Sequence, residues 1–141
     1  MSEFSIQRLK DDLKRHEGVR STVYTCPAGK LTIGVGRNLE DRGLLESEID
    51  FLLENDIAEC IRSARQLVIS FDQLNDVRQE VILNMIFNLG ASRFSKFVKT
   101  IVAINDGFFE KAAAEMLDSR WATQVGDRAQ ELAERMRTGH E

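Results

Sequence analysis

Apolar residues recur along the chain first at helical spacing, then at strand spacing, then at helical spacing again. Ile6, Leu9 and Leu13 fall three and four residues apart, which predicts an amphipathic helix over 6–16. Gly18, just behind Glu17, is the residue type expected past a helix end. From 19 to 36 the period changes. Val23-Tyr24-Thr25 and Leu31-Thr32-Ile33-Gly34-Val35-Gly36 flank Pro27-Ala28-Gly29 and predict short strands around a turn. The segment 37–45 reads as a loop. Ser47 is the predicted cap of a long helix with Ile49, Leu52, Leu53, Ile57, Cys60, Ile61 and Ala64 on one side. Asp72 or Asn75 opens another helix, ended by Gly90. Its Val77, Val81, Ile82, Leu83, Met85, Ile86, Phe87 and Leu89 spread around most of the circumference, so it is predicted to form the buried centre. Shorter helices are predicted near 93–105, 107–118, 119–123 and 126–136. The pattern is that of an α+β, mostly helical fold with one small β insertion.

Composition narrows this picture. A chain of 141 residues, 43% of them hydrophobic, suits one domain and can bury a core without metals or disulfides. Its apolar runs are shorter than the roughly 20 residues of a membrane-spanning helix. Charges crowd the start (Glu3, Arg8, Lys10, Asp11, Asp12), so no secretory or anchor segment is expected there. The net charge of −4 argues against a general nucleic-acid binder, because phosphate attraction needs a basic field. The charge is uneven, however. Residues 1–45 carry eight Lys/Arg against six Asp/Glu, a net +2, and the acidic excess falls in the rest.

Few residues could carry chemistry. Cys26 and Cys60 are too few for a disulfide scaffold and form no C-x-x-C pair; Cys60 falls among helical apolar positions and reads as a buried thiol. His16 and His140 lack metal-ligand spacing, so no metal site is expected. No phosphate-binding loop or nucleophile elbow occurs. Glu17 ends the first predicted helix, where the negative end of the macrodipole, with partial burial, favours the protonated form of a carboxyl. Position alone favours the reading of an ordinary surface glutamate. Glycines 29, 34 and 36 allow close backbone approach to a ligand, or simply the turns of a hairpin.

Taken together, these positions resemble a known family. Glu17, eight residues, Cys26, five residues and Thr32 is similar to the active-site spacing of the phage-type lysozymes, the T-even phage lysozyme family of muramidases, in which the middle position is Asp or Cys. The likeness extends in order through His16-Glu17-Gly18-Val19-Arg20, Tyr24, Leu31 to Gly36, Val77-Arg78, Asn84 to Gly90, Ser119-Arg120-Trp121, Arg128 and Arg137-Thr138-Gly139.

The resemblance implies a single lysozyme domain over 1–141 with two lobes. A small β-containing lobe would span about 18–46, and a helical lobe would hold about 47–141 plus the N-terminal helix. It implies hydrolysis of the β-1,4 bond between N-acetylmuramic acid and N-acetylglucosamine, causing host lysis. The substrate would be peptidoglycan glycan strands, met by a monomer without cofactor, nucleic-acid partner or membrane insertion. The protein would wait in the host cytoplasm and reach the wall after the membrane is breached. Glu17 resembles the general acid and Thr32 the residue whose hydroxyl helps hold the attacking water or the intermediate. Arg128 resembles an arginine that pairs with the catalytic glutamate. Phe87 matches a position on the cleft floor, or a core aromatic, and Thr100 a sugar contact. Ser119-Arg120-Trp121 reads as an anchor of the C-terminal helices. Cys26, in place of aspartate, is expected to orient water or attack the sugar itself. The join from Gly36 to Ser47 is shorter than in T-even members and predicts a reduced small lobe. A lytic transglycosylase of related fold and a weakly active virion wall-binding module are the alternatives.

Overall fold

The computed structural model describes residues 3–141. It is 65% helical, with one three-stranded sheet and, among the described residues, eight α-helices. The chain divides into two compact units, one ending at Asp50 and one running Phe51–Glu141. The first helix, expected with the helical lobe, falls in the first unit.

In the first unit, α1 spans Ile6–Glu17. Ser5 caps it by accepting a hydrogen bond from the Arg8 amide at 3.1 Å, and Gly18 ends it by donating to the Lys14 carbonyl. The helix is amphipathic but has no buried residue. Strands β1 (Arg20–Thr25), β2 (Leu31–Gly34) and β3 (Arg37–Asn38) form an antiparallel sheet in that order. Tyr24 faces Thr32, Thr25 faces Leu31, and the register shifts before Arg20 meets Gly34. On the other side Thr32 faces Asn38 and Ile33 faces Arg37. Thr32 therefore sits on the central strand with a partner on each side.

Two expectations need correction here. The segment 37–45 is not all loop. Gly36, with φ +67, reverses the chain so tightly that Arg37 and Asn38 return along β2 as a third strand. The long helix α2 spans Glu46–Leu67, so Ser47 lies inside it rather than capping it. Glu48 takes the capping role, its carboxylate accepting from the Leu45 amide at 2.7 Å.

In the second unit, α2 contributes only Cys60 and Ala64 to the interior. Ile49, Leu52, Leu53 and Ile57 of its predicted apolar face are exposed. Helix α3 (Asp76–Leu89), capped by Asn75, buries Val77, Val81, Ile82, Met85 and Ile86, as its pattern required of a central helix. The single helix expected over 93–105 is two, α4 (Ala91–Ser95) and α5 (Val98–Asn105). The break at Lys96-Phe97 turns Phe97 to stack on Phe94, with centroids 6.2 Å apart. Helices α6 (Phe109–Leu117), α7 (Arg120–Val125) and α8 (Asp127–Thr138) close the core with Met116, Trp121, Leu132 and Met136. Each large side chain so buried stabilises the fold by roughly 1.5–3 kcal/mol.

Candidate active site

Glu17 is the last residue of α1, and its carboxylate lies over the turn between β2 and β3. A Cβ on Gly36 would stand 3.1 Å from Glu17 Oε2 and 3.8 Å from its Cγ, so only glycine leaves the carboxylate this seat without displacement. The partial burial expected of Glu17 is absent; the residue is exposed.

Cys26 stands at the far end of β1, half-buried and free. Its amide donates to the Lys30 carbonyl at 2.9 Å, and the Gly29 amide donates to its own carbonyl at 2.8 Å. The turn so formed directs backbone N–H groups at the sulphur. The Lys30 amide does most to hold the thiol below its ordinary range, against the opposing effect of desolvation, with help from the Ala28 amide and Thr32. Thr32 is 2% exposed and its hydroxyl donates to the Lys30 carbonyl at 2.9 Å. Its single proton is thus offered to either the carbonyl or the sulphur. Thr32 touches the candidate sulphur more directly than it faces solvent. Leu31, beside the cysteine turn, and Gly34, beside the glutamate's turn, are three residues apart on β2. That is about 10 Å at the rise of a strand.

The remaining candidates lie in the second unit. Phe87 is 48% exposed and lines an open groove of about 290 Å³ with Leu53, Ile57, Cys60 and Leu83. Glu80, Asn84 and Arg128 supply its polar edge. The Arg128 guanidinium donates to Asn84 Oδ1 through Nε at 3.0 Å and Nη2 at 2.7 Å. Thr100 is 2% exposed on α5, so of the two residues expected to touch sugar, Phe87 is the accessible one. Cys60 is buried, and desolvation by burial, with Glu59 and Asp56 nearby, pushes its thiol up. Ser119 caps α7 through the Ala122 amide, and Trp121 is buried with its indole donating to Asn88 Oδ1 at 2.8 Å, which is the anchoring expected of that triplet.

Sequence reasoning gave no role to Asn84, although it lies within the quoted Asn84 to Gly90 stretch. A polar residue on a helix otherwise apolar nearly all round was the available signal.

Comparison with known proteins identifies the family. A family model described as phage lysozyme matches residues 14–138, so the chain belongs to the phage lysozyme family. It is, as such, a glycoside hydrolase. "Probable T4-type lysozyme 2" of Dictyostelium discoideum is similar at 29% identity, with 95% of this chain and 96% of that protein covered. Their alignment runs over 163 positions, more than the 141 residues of this chain, so the relative has residues without a counterpart here. An endolysin of Acyrthosiphon pisum secondary endosymbiont phage 1 is 27% identical, covering 78% of this chain and 74% of its own. The pre-baseplate central spike protein Gp5 of Enterobacteria phage T4 is 26% identical over 94% of this chain but only 28% of that protein.

Proposed function

We propose that this lysozyme hydrolyses the β-1,4 bond between N-acetylmuramic acid and N-acetylglucosamine in peptidoglycan. It acts as a monomer on the wall after the host membrane has been permeabilised, and the outcome is lysis. The observation that carries the reading is the seating of Glu17 on Gly36, at one end of the strand whose other end holds Thr32 and Cys26. Glu17 donates its proton to the glycosidic oxygen as the bond to the anomeric carbon breaks. Water attacks that carbon and gives its proton to the Cys26 thiolate, and the leaving sugar departs as a neutral alcohol. Cys26, whose thiolate form the Lys30 amide favours, orients the water, and Thr32 orients the sulphur. The strand between the two ends, about 10 Å by its rise, supports room for a water between acid and thiol. Phe87 offers an apolar ring to a sugar face.

The test is clearance of outer-membrane-permeabilised cells, with mass analysis of the released fragments. Glu17→Gln should lower clearance by about a hundredfold or more, the usual effect of losing a positioned acid, while wall binding persists. The parent's fragments should carry one added water each. Parental clearance by the variant, or anhydro ends in the products, would refute this reading.

A further inference from the structure

The turn that seats Glu17 has no apolar core beneath it. In the first unit, Thr32 is the one buried side chain among the described residues. Whatever fixes Gly36 is therefore polar, and the residue that follows it is tied most firmly. Arg37 Nη1 donates to Glu48 Oε1 at 2.7 Å and to the Gly43 carbonyl at 3.2 Å. The same Glu48 oxygen accepts from the Leu45 amide at 2.7 Å. One carboxylate oxygen thus joins β3, the end of the following loop and the first turn of α2. The two side chains are only 24% and 33% exposed, and charged hydrogen bonds so sheltered are stronger than those of open surface pairs. Arg37 also faces Ile33 across the ladder, which sets the height of the Val35-Gly36 turn above β2.

The geometry points to Arg37 and Glu48 as a positioning pair for the catalytic step, holding the Gly36 turn where Glu17 rests. Neither touches the acid. They act through one peptide unit, from Arg37 to Gly36, and through the closeness of that turn to the Glu17 carboxylate, which leaves no free room for a Cβ on Gly36. The inference rests on Glu17 being the acid.

Full-length Arg37→Gln, Glu48→Gln and the double variant are compared with the parent on soluble, uncrosslinked glycan strands, with kcat and KM separated. Gln at position 48 still offers an acceptor to the Leu45 amide, so Glu48→Gln is the gentler probe if Arg37→Gln unsettles the sheet. Each single variant should lose about tenfold to a hundredfold in kcat, the scale of a misplacement of about 1 Å. KM should stay within about twofold, because no sugar contact is removed. The double variant should be no worse than the poorer single one. Arg37→Lys should recover most of the loss, since its ammonium still meets Glu48. A loss confined to KM, losses that multiply in the double variant, or parental kcat in both singles would overturn the pair's role. Glu17→Gln is assayed alongside. Parental turnover there overturns the reading of the acid itself; collapse there with parental kcat in Arg37→Gln and Glu48→Gln overturns the pair alone.

Discussion

In the second unit Ile82, Met85, Phe94, Ile104, Met116 and Met136 are closed to solvent, and apolar packing holds seven helical segments together. In the first, α1 buries nothing, and order comes from hydrogen bonds and charges. Arg37 holds Glu48, Lys30 reaches Glu40 and Asp41, and Asn38 and Asp41 bond each other across a tight turn. Stability that comes from packing is indifferent to which chemistry sits on top of it. Order that comes from polar contacts is directional, so it can aim a carboxylate or an amide. It is also easily loosened. The candidate acid, thiol and hydroxyl all sit in the unit held this second way.

The contrast can be broken most forcefully in the core. Phe94→Ala should cost about 3–5 kcal/mol of stability, read by denaturant unfolding, with the loss registered by the helices of the second unit. A cost below about 1 kcal/mol would mean that the packing is not what holds this unit.

Next comes the thiol. Cys26→Ala should remove most wall cleavage, whereas Cys26→Asp should retain it, since a carboxylate can accept the same amides. The two cysteines should also separate under alkylation. Cys26 should react with a midpoint below the ordinary thiol range, because the Lys30 amide favours its anion. Cys60, disfavoured by burial, should react only on unfolding. Equal rates for both would remove the distinction.

A smaller effect is expected at the chain's end. Gly139 has φ +73, and a Cβ there would stand 2.9 Å from Asn75 Nδ2 and 3.0 Å from the Arg78 guanidinium. Arg78 meanwhile donates to the Met136 and Arg137 carbonyls and covers the Phe109 ring. Gly139→Ala should therefore cost about 1–3 kcal/mol, visible as a lowered melting temperature without loss of kcat.

The smallest effect concerns acid. The hydrogen bond from Arg37 holds the Glu48 carboxyl below its ordinary range. Its stabilisation is therefore present at neutral pH and is lost as pH falls through that depressed value, once the carboxyl takes up a proton. Protection of the Leu45 amide from hydrogen exchange, relative to its intrinsic rate at each pH, should fall in acid before protection in α3 does.

Much of this was legible in the chain. Three- and four-residue spacing located α1, and the all-round apolar pattern of α3 marked a central helix. The Glu17, Cys26, Thr32 spacing pointed to the family before any geometry. What escaped has several causes. β3 is two residues long and exists because Gly36 reverses the chain, so no alternation could announce it. The cap of α2 comes from Glu48 reaching back, a choice that local preference for Ser47 obscured. Leu52, Leu53 and Ile57 kept the helical period yet stayed exposed, since periodicity reports which side is apolar and not what meets it. The seat of Glu17 is the space left by the missing Cβ of Gly36, and the spacing of apolar and polar residues carries no trace of it.

Thr32 has one further consequence. Its hydroxyl is a rotor with a single hydrogen and two acceptors, the Lys30 carbonyl and the Cys26 sulphur. When the sulphur holds its own proton, the rotor turns to the carbonyl; when the sulphur is anionic, the pull reverses. The torsion of one threonine therefore reports the charge of its neighbour, and its three-bond couplings offer a spectroscopic gauge of the site that needs no substrate.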